Sequence, residues 1–386
     1  MKVICDRAAL MDAVNLVSGV VASRSPRPQL TCIKFDARKD GDGGAGTITL
    51  SATDAEISIR MSSAQAEVQK EGEALIPADK LRQIVSAEDK DPTLTLDSDG
   101  EMTSIRGADA HFKVYGYPPG GFPEIPDFPE DSGDDSFAID ASTLSTLISR
   151  TTFSTARENS RYAINGVLMR REGKKIEMVA TDGRRLALAK ASANEFTGDG
   201  PSTCIVPTKA LTMANKLLSG CDQVRVAVTD NQIIFKFDDS DVAGAGGTVL
   251  ASNLVDGTFP PYQDVIPKDQ DKRATFAVES LGSAVRRAAL LTNEESRGVR
   301  MAFGKESQAL KISSRAPEMG EAEINVEMKS FDGDDIEIGF NPAFITDALK
   351  VLPGEEVMIE MKAPNKPGMI KSGNDFVYVV MPVNLQ

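Results

Sequence analysis

The sequence predicts an α+β protein of three tandem units, each mostly antiparallel strand with two short helices packed on it. Three observations carry this. A length of 386 residues is too great for one ordinary core. A strand-then-helix opening recurs at a spacing of roughly 130 residues, the mark of an internal repeat. Two proline-bearing segments fall where the two linkers between three units belong. The expected units are 1–128, 136–264, with a linker from 129, and 272–386.

Each unit opens with a short alternating strand, then a helix whose apolar positions fall at i, i+3, i+4 and i+7. These are Leu10, Ala13, Val14 and Val17 in the first unit and Leu281, Ala284, Val285 and Ala288 in the third. In the second they are Leu144, Leu147, Ile148 and Thr151, where the threonine weakens the pattern. A second helix is announced mid-unit by Ile76-Pro77, Val206-Pro207 and Asn341-Pro342, because proline suits a first turn whose N–H would be unpaired anyway. Alternating runs such as Thr47–Leu50, Ile176–Val179 and Val224–Ala227, set off by Asp-Gly or Gly-rich turns, supply the strands. The segments Phe122-Pro123-Glu124-Ile125-Pro126 and Phe259-Pro260-Pro261-Tyr262 have no third counterpart. Their prolines favour extended, semi-rigid connection.

Composition excludes several classes. With 41% hydrophobic residues the chain can build real cores, yet no apolar stretch is long enough to span a bilayer. The opening MKVICDRAAL lacks the pattern of a signal peptide, so a soluble, cytoplasmic protein with no membrane partner is expected. Cys5, Cys32, Cys204 and Cys221 form no C-x-x-C pair, which points to half-buried reduced thiols and to no metal. The only histidine is His111, which removes most general-base and triad schemes. No catalytic residue and no cofactor are expected.

A net charge of −14 argues, taken in bulk, against a polyanionic partner. The charge is segregated, however. The helical windows 7–24, 77–87, 141–157, 207–219, 280–293 and 342–352 together carry +8, leaving −22 on the rest. If these helices share one face, that face attracts phosphate while the sheets repel it. The competing reading is that Lys and Arg are merely solvated on helices. Aromatics placed for base stacking are not evident, so any binding to double-stranded DNA should be non-specific.

Four ordered runs then carry a resemblance: Val179–Ala187 (VATDGRRLA), Leu254–Pro260 (LVDGTFP), Arg297–Arg300 (RGVR) and Tyr378–Pro382 (YVVMP). Together with Met1-Lys2-Val3 they make the chain similar, over all three repeats, to the beta subunit of bacterial DNA polymerase III, the sliding-clamp family. The resemblance implies a non-enzymatic processivity factor: a head-to-tail homodimeric ring with helices lining the bore. Implied partners are duplex DNA, a replicative polymerase, a clamp loader, and other polymerases and repair proteins that bring short peptides. A closed ring holds DNA by topology, so weak phosphate contacts suffice and permit sliding.

By matched position, the family's peptide pocket falls on Ile164, Thr181, Gly183, Arg185, Leu186, Pro260, Val265, Val379, Met381, Pro382 and Val383. It accepts a glutamine and bulky apolar anchors. Residues expected to face DNA are Arg24, Lys80, Arg82, Arg150, Arg157, Lys209 and Lys216. The implied dimer contact places Phe112 and Val114 against Leu290 and Leu291, with Glu321 and Glu323 nearby. Read without the family, Thr181-Asp182-Gly183 is an ordinary hairpin turn, and Met381-Pro382 the end of an edge strand. Arg184, Asp264 and the terminal Asn384-Leu385-Gln386 depart from the family pattern and leave the pocket's rim charge open.

Three motifs are set aside. Gly41–Gly46 matches G-x-G-x-x-G, but strand-like sequence follows where a dinucleotide site needs a helix. Asp97-Ser98-Asp99-Gly100 lacks a calcium loop's remaining ligands, and Glu130–Asp135 reads as solvated linker. Two other functions stay open: a carboxylate-dependent hydrolase on the repeated scaffold, which single Asp or Glu substitutions would inactivate, and a repeat scaffold that binds only proteins.

Overall fold

The computed structural model describes the chain except residues 40–44, 131–134, 158–161, 199, 238–246, 293–297, 318, 353, 355 and 386, and the side chains of 45, 64 and 65. The six expected helices form: α1 Arg7–Ser18, α2 Ala78–Ala87, α3 Ala141–Thr152, α4 Thr208–Leu217, α5 Val278–Ala288 and α6 Pro342–Lys350. Every apolar-stripe position named for the first helix of each repeat is buried. Thr151 fits because its Oγ1 donates to the carbonyl of Leu147 at 2.7 Å, one turn back, so the hydroxyl is satisfied without leaving the stripe. Asp6 caps α1 by accepting from the amide of Ala9 at 2.9 Å.

The prolines sit one residue earlier than expected in two of three cases. Pro342 opens α6 behind the cap Asn341, whose side chain accepts from Ala343 N. Pro77 and Pro207 instead stand in the cap position, ending the strands Gly72–Pro77 and Ser202–Pro207. A strand end needs no N–H for the ladder, and proline's fixed φ leads the chain out of it.

The chain forms two compact units, Met1–Ser145 with Ser192–Leu254 and Thr146–Ala191 with Val255–Gln386. The division cuts through the middle repeat because its strands complete the sheets of its neighbours. In the first unit one antiparallel sheet of thirteen strands, counted among the described residues, joins repeats through Thr248–Asn253 and Ile57–Lys70, with Leu250 opposite Ile59. In the second, Arg185–Ser192 pairs with Phe376–Val380, and a separate four-stranded sheet runs Gly320–Glu327, Ala309–Ala316, Val299–Gly304, Ile336–Phe340. Such pairing removes edges that would otherwise invite aggregation. α1 packs on α2 in the first unit, and α5 on α6 in the second.

The first linker is held by docking as well as by proline stiffness. Phe128 packs on Ile234, Val249 and Ala251. The Arg225 guanidinium lies 5.1 Å from the Phe128 ring centroid and 2.6 Å from Glu130, which also binds Lys236, while Asp127 pairs with Arg60. The Gly41–Gly46 and Glu130–Asp135 motifs lie largely outside the described residues. Asp97–Gly100 turns a hairpin, with Asp99 opposite Met102 and Gly100 at φ +61.

Candidate functional site

Four strand ends of the second unit converge. The ladder of Gly166–Glu172 with Lys175–Thr181 sets Leu168 opposite Val179, so Ile164 lies just beyond the end of the sheet at which Thr181 finishes. Arg185–Ser192 starts there, and Phe376–Val380 ends there, with Arg185 opposite Val380 and Leu186 opposite Val379. The amide of Met381 donates to the Arg184 carbonyl at 2.9 Å, extending that ladder by one residue. Ile164, Thr181, Gly183, Arg185, Leu186, Val379 and Met381 are thus brought to one end of one sheet.

The turn between the two middle strands is a hairpin turn in which each residue of Thr-Asp-Gly has a separate task. Thr181 Oγ1 donates to the Arg185 carbonyl at 2.7 Å and accepts from Gly183 N at 3.1 Å. Asp182 Oδ1 accepts from the amides of Arg184 and Arg185 at 3.0 and 3.1 Å. Gly183 has φ +85, which a side chain would strain.

The connection after Leu254 closes over this end. Ala163 N donates to the Thr258 carbonyl at 3.2 Å, and a Cβ on Gly257 would sit 3.2 Å from that of Ala163. Tyr262 is buried, its hydroxyl 3.2 Å from Glu177, and Val265 N donates back to the Tyr262 carbonyl, which fixes the stretch holding Pro260 and Val265. Val383 is carried to the four-stranded sheet, where its amide donates to Gly339 O at 2.9 Å; Pro382 lies between it and Met381.

These residues combine buried and exposed apolar side chains. Ile164, Leu186 and Val379 are buried, whereas Val265 is 47% and Met381 41% exposed. Tyr162, 37% exposed, belongs to the same neighbourhood through its carbonyl, which accepts from Ile164 N. The sequence reading missed it, since a tyrosine in a polar run carries no periodic signal. Arg185 is no rim charge, because its side chain is only 11% exposed and faces inward. Arg184 and Asp264 are exposed.

The cationic residues divide. Lys80, Arg82 and Lys216 are exposed on their helices, and Arg24 and Arg157 are exposed in the segments just after α1 and α3. Lys209 is exposed but paired with Asp54. Arg150 does not fit the expected role: 8% exposed, it bonds Asp375 at 2.8 Å and lies 5.5 Å from the Phe376 ring centroid. Asp375 and the Phe376 ring hold it there, and the 141–157 window loses one of its two counted cations.

At the expected dimer surfaces, His111–Tyr115 and Gly320–Glu327 are each the last strand of their sheets among the described residues. Val114 is buried within its own unit and Phe112 is half-buried, so the exposed apolar area beside them comes from Tyr115 at 74%. Leu290 is 74% exposed, Leu291 half-buried and nearby Met319 66% exposed. Glu321 and Glu323 are bound by Arg315 and Lys311 of the same chain, at 3.1 and 2.7 Å.

Among the described residues no cluster of His, Cys, Asp or Glu could hold a metal ion. Cys5, Cys32 and Cys204 are buried rather than half-buried, and burial pushes their thiols up to about 12, 11 and 12.

Known proteins match the chain over its whole length. Residues 1–126, 138–261 and 263–384 match the N-terminal, central and C-terminal domains of the DNA polymerase III beta subunit. The beta sliding clamp of Escherichia coli K12 is 31% identical over 389 residues, covering all of both chains, and that of Pseudomonas aeruginosa 30% over 382, covering 98% of each. Among solved structures, the Bacillus subtilis DNA polymerase sliding clamp superposes with TM-score 0.88 at 26% identity. A Pseudomonas aeruginosa clamp bound to griselimycin gives 0.87 at 29%, and both matches cover all of each chain.

Proposed function

The chain belongs to the DNA polymerase III beta subunit family, the sliding clamps, and from that premise we propose that it is a non-catalytic processivity factor that encircles duplex DNA as a homodimeric ring and tethers the replicative polymerase. The observation that carries the tethering role is the apolar rim of Val265 and Met381 above buried Leu186 and Val379 at the end of one sheet. A peptide with bulky apolar anchors would bury side chains there at roughly 1.5–3 kcal/mol each, enough for useful and reversible affinity. Reversibility lets polymerases and repair proteins exchange on one ring, and a loader must open it.

The repeats are proposed at 1–128, 136–264 and 272–386. Exposed Arg24, Lys80, Arg82, Arg157 and Lys216 are the proposed phosphate contacts, weak and without sequence information. Tyr115 and Phe112 on one edge strand, with Leu290, Leu291 and Met319 of the other unit, are the proposed dimer surfaces. Closing a ring through two sheet edges satisfies backbone groups that an open edge exposes. The hydrolase alternative has no support in the family, and the protein-only scaffold leaves the helical cations without a task.

Product length on a primed circular template, with loader and polymerase present, tests the proposal. Added protein should lengthen products, and Met381→Asp should abolish that gain. Equal lengths with and without the protein would overturn it.

A further inference from the structure

His111, the only histidine in the chain, stands on an open sheet edge. His111–Tyr115 is the last strand of its sheet among the described residues, with Arg106 opposite His111 and Thr103 opposite Val114. Residues two apart on a strand share a face. Phe112 and Val114 therefore share the face on which Val114 is buried, and His111, Lys113 and Tyr115 stand exposed on the other.

Gly320–Glu327, the last strand of the four-stranded sheet, has the same two-sided build. Ala322, Ile324 and Val326 share its more buried face, and Glu321, Glu323, Asn325 and Glu327 are exposed on the other. Joined with their buried faces on one side, the two edges would set a cationic row against an acidic one. Exposed Arg106 and Lys113 make the first, and three carboxylates make the second, two of them already bound by Arg315 and Lys311.

His111 is the member of the cationic row whose charge changes. A histidine gains or loses its proton between about pH 5 and 8, where Lys and Arg stay charged. Around its ring in the separate chain are the Ser104 hydroxyl, 2.7 Å from Nε2, the cations Arg106 and Lys113, and in the preceding turn Asp109, bound by Lys90. The two cations disfavour a further positive charge, whereas the acidic row of a second copy favours it.

We propose that His111 makes the association of two copies pH-dependent, its protonated form strengthening the pairing of the His111–Tyr115 edge of one copy with the Gly320–Glu327 edge of the other. This rests on the dimer surfaces proposed above. A proton bound more readily in the dimer tightens it below the range in which histidine titrates, and the gain is lost as pH rises through that range. A ring of two copies has two such contacts, so the dependence counts twice.

The test is the monomer–dimer equilibrium of the full chain, followed by sedimentation at fixed ionic strength between pH 8 and 6. The wild type should associate about tenfold more tightly at the lower pH. His111→Gln should keep the weaker affinity throughout, and His111→Arg, whose charge is permanent, the tighter one. The Met1 amine, lowered from its usual 8.0 by burial, also titrates here, but it is bonded to the Ser98 carbonyl and is the same in both variants. Unfolding midpoints identify a variant that misfolds, and the other then carries the comparison. Equal wild-type affinity at both pH values, looser association at pH 6, or an unaltered pH dependence in the variants would overturn the role of His111. A wild-type chain monomeric across the range would instead reject the dimer surfaces.

Discussion

The amide of Met381 lies 2.9 Å from the carbonyl of Arg184, one step past the last pair of the Arg185–Val380 ladder. Residues two apart on a strand share a face. Met381 therefore stands on the side of Val379, which is buried while Met381 is 41% exposed. The apolar surface steps from core to solvent within one strand end.

Met381→Asp puts a charge at the edge of that step. Peptide affinity should fall by about a hundredfold or more, from lost apolar burial and the cost of desolvating a carboxylate. Dimer formation should be unchanged, because the substitution is exposed. Undiminished peptide binding in a titration would reject the pocket.

Arg150 and Lys216 should behave as opposites although both were expected to face DNA. Arg150→Ala removes a charged hydrogen bond from a buried guanidinium and should cost roughly 2 kcal/mol, discounted because Asp375 is half exposed. Denaturant unfolding measures it, and the salt dependence of DNA binding should not change. Lys216→Ala should leave stability alone and reduce the salt slope by about one.

Asp54 should contribute to acid stability. Burial raises its pKa, but the Lys209 ammonium and the amides of Ile57 and Glu56 more than offset this and hold it below the usual 3.8. A depressed carboxylate stabilises the fold fully above its unfolded value, and the contribution is lost as pH falls through the folded one. Unfolding followed from pH 5 down to about 2 should show a steeper acid loss in the wild type than in Asp54→Asn. Equal slopes would remove the pair from the account.

Much of this was legible in the sequence for one physical reason: helical stripes announce burial locally. Leu10, Leu144 and Leu281, with their partners at i+3, i+4 and i+7, are all in the core. The fate of charges was less legible. Arg150 and Lys80 look alike in a helical window, and only the presence of Asp375 and Phe376, far along the chain, decides that one is buried. Arg185 was placed in the pocket by matched position, yet its side chain is held by Phe153, Phe344 and Asp347, which no local pattern connects. Val114 and Tyr115 likewise exchange burial by the parity of a strand, set by the pairing of Thr103 with Val114.

The central claim is that this chain holds DNA by enclosing it rather than by gripping it. Loaded onto nicked circular DNA and washed in salt high enough to screen phosphate contacts, the protein should stay bound, and a single cut that linearises the circle should release it within the time needed to slide off an end. Equal retention on circular and linear DNA, or loss from both in salt, would contradict the account.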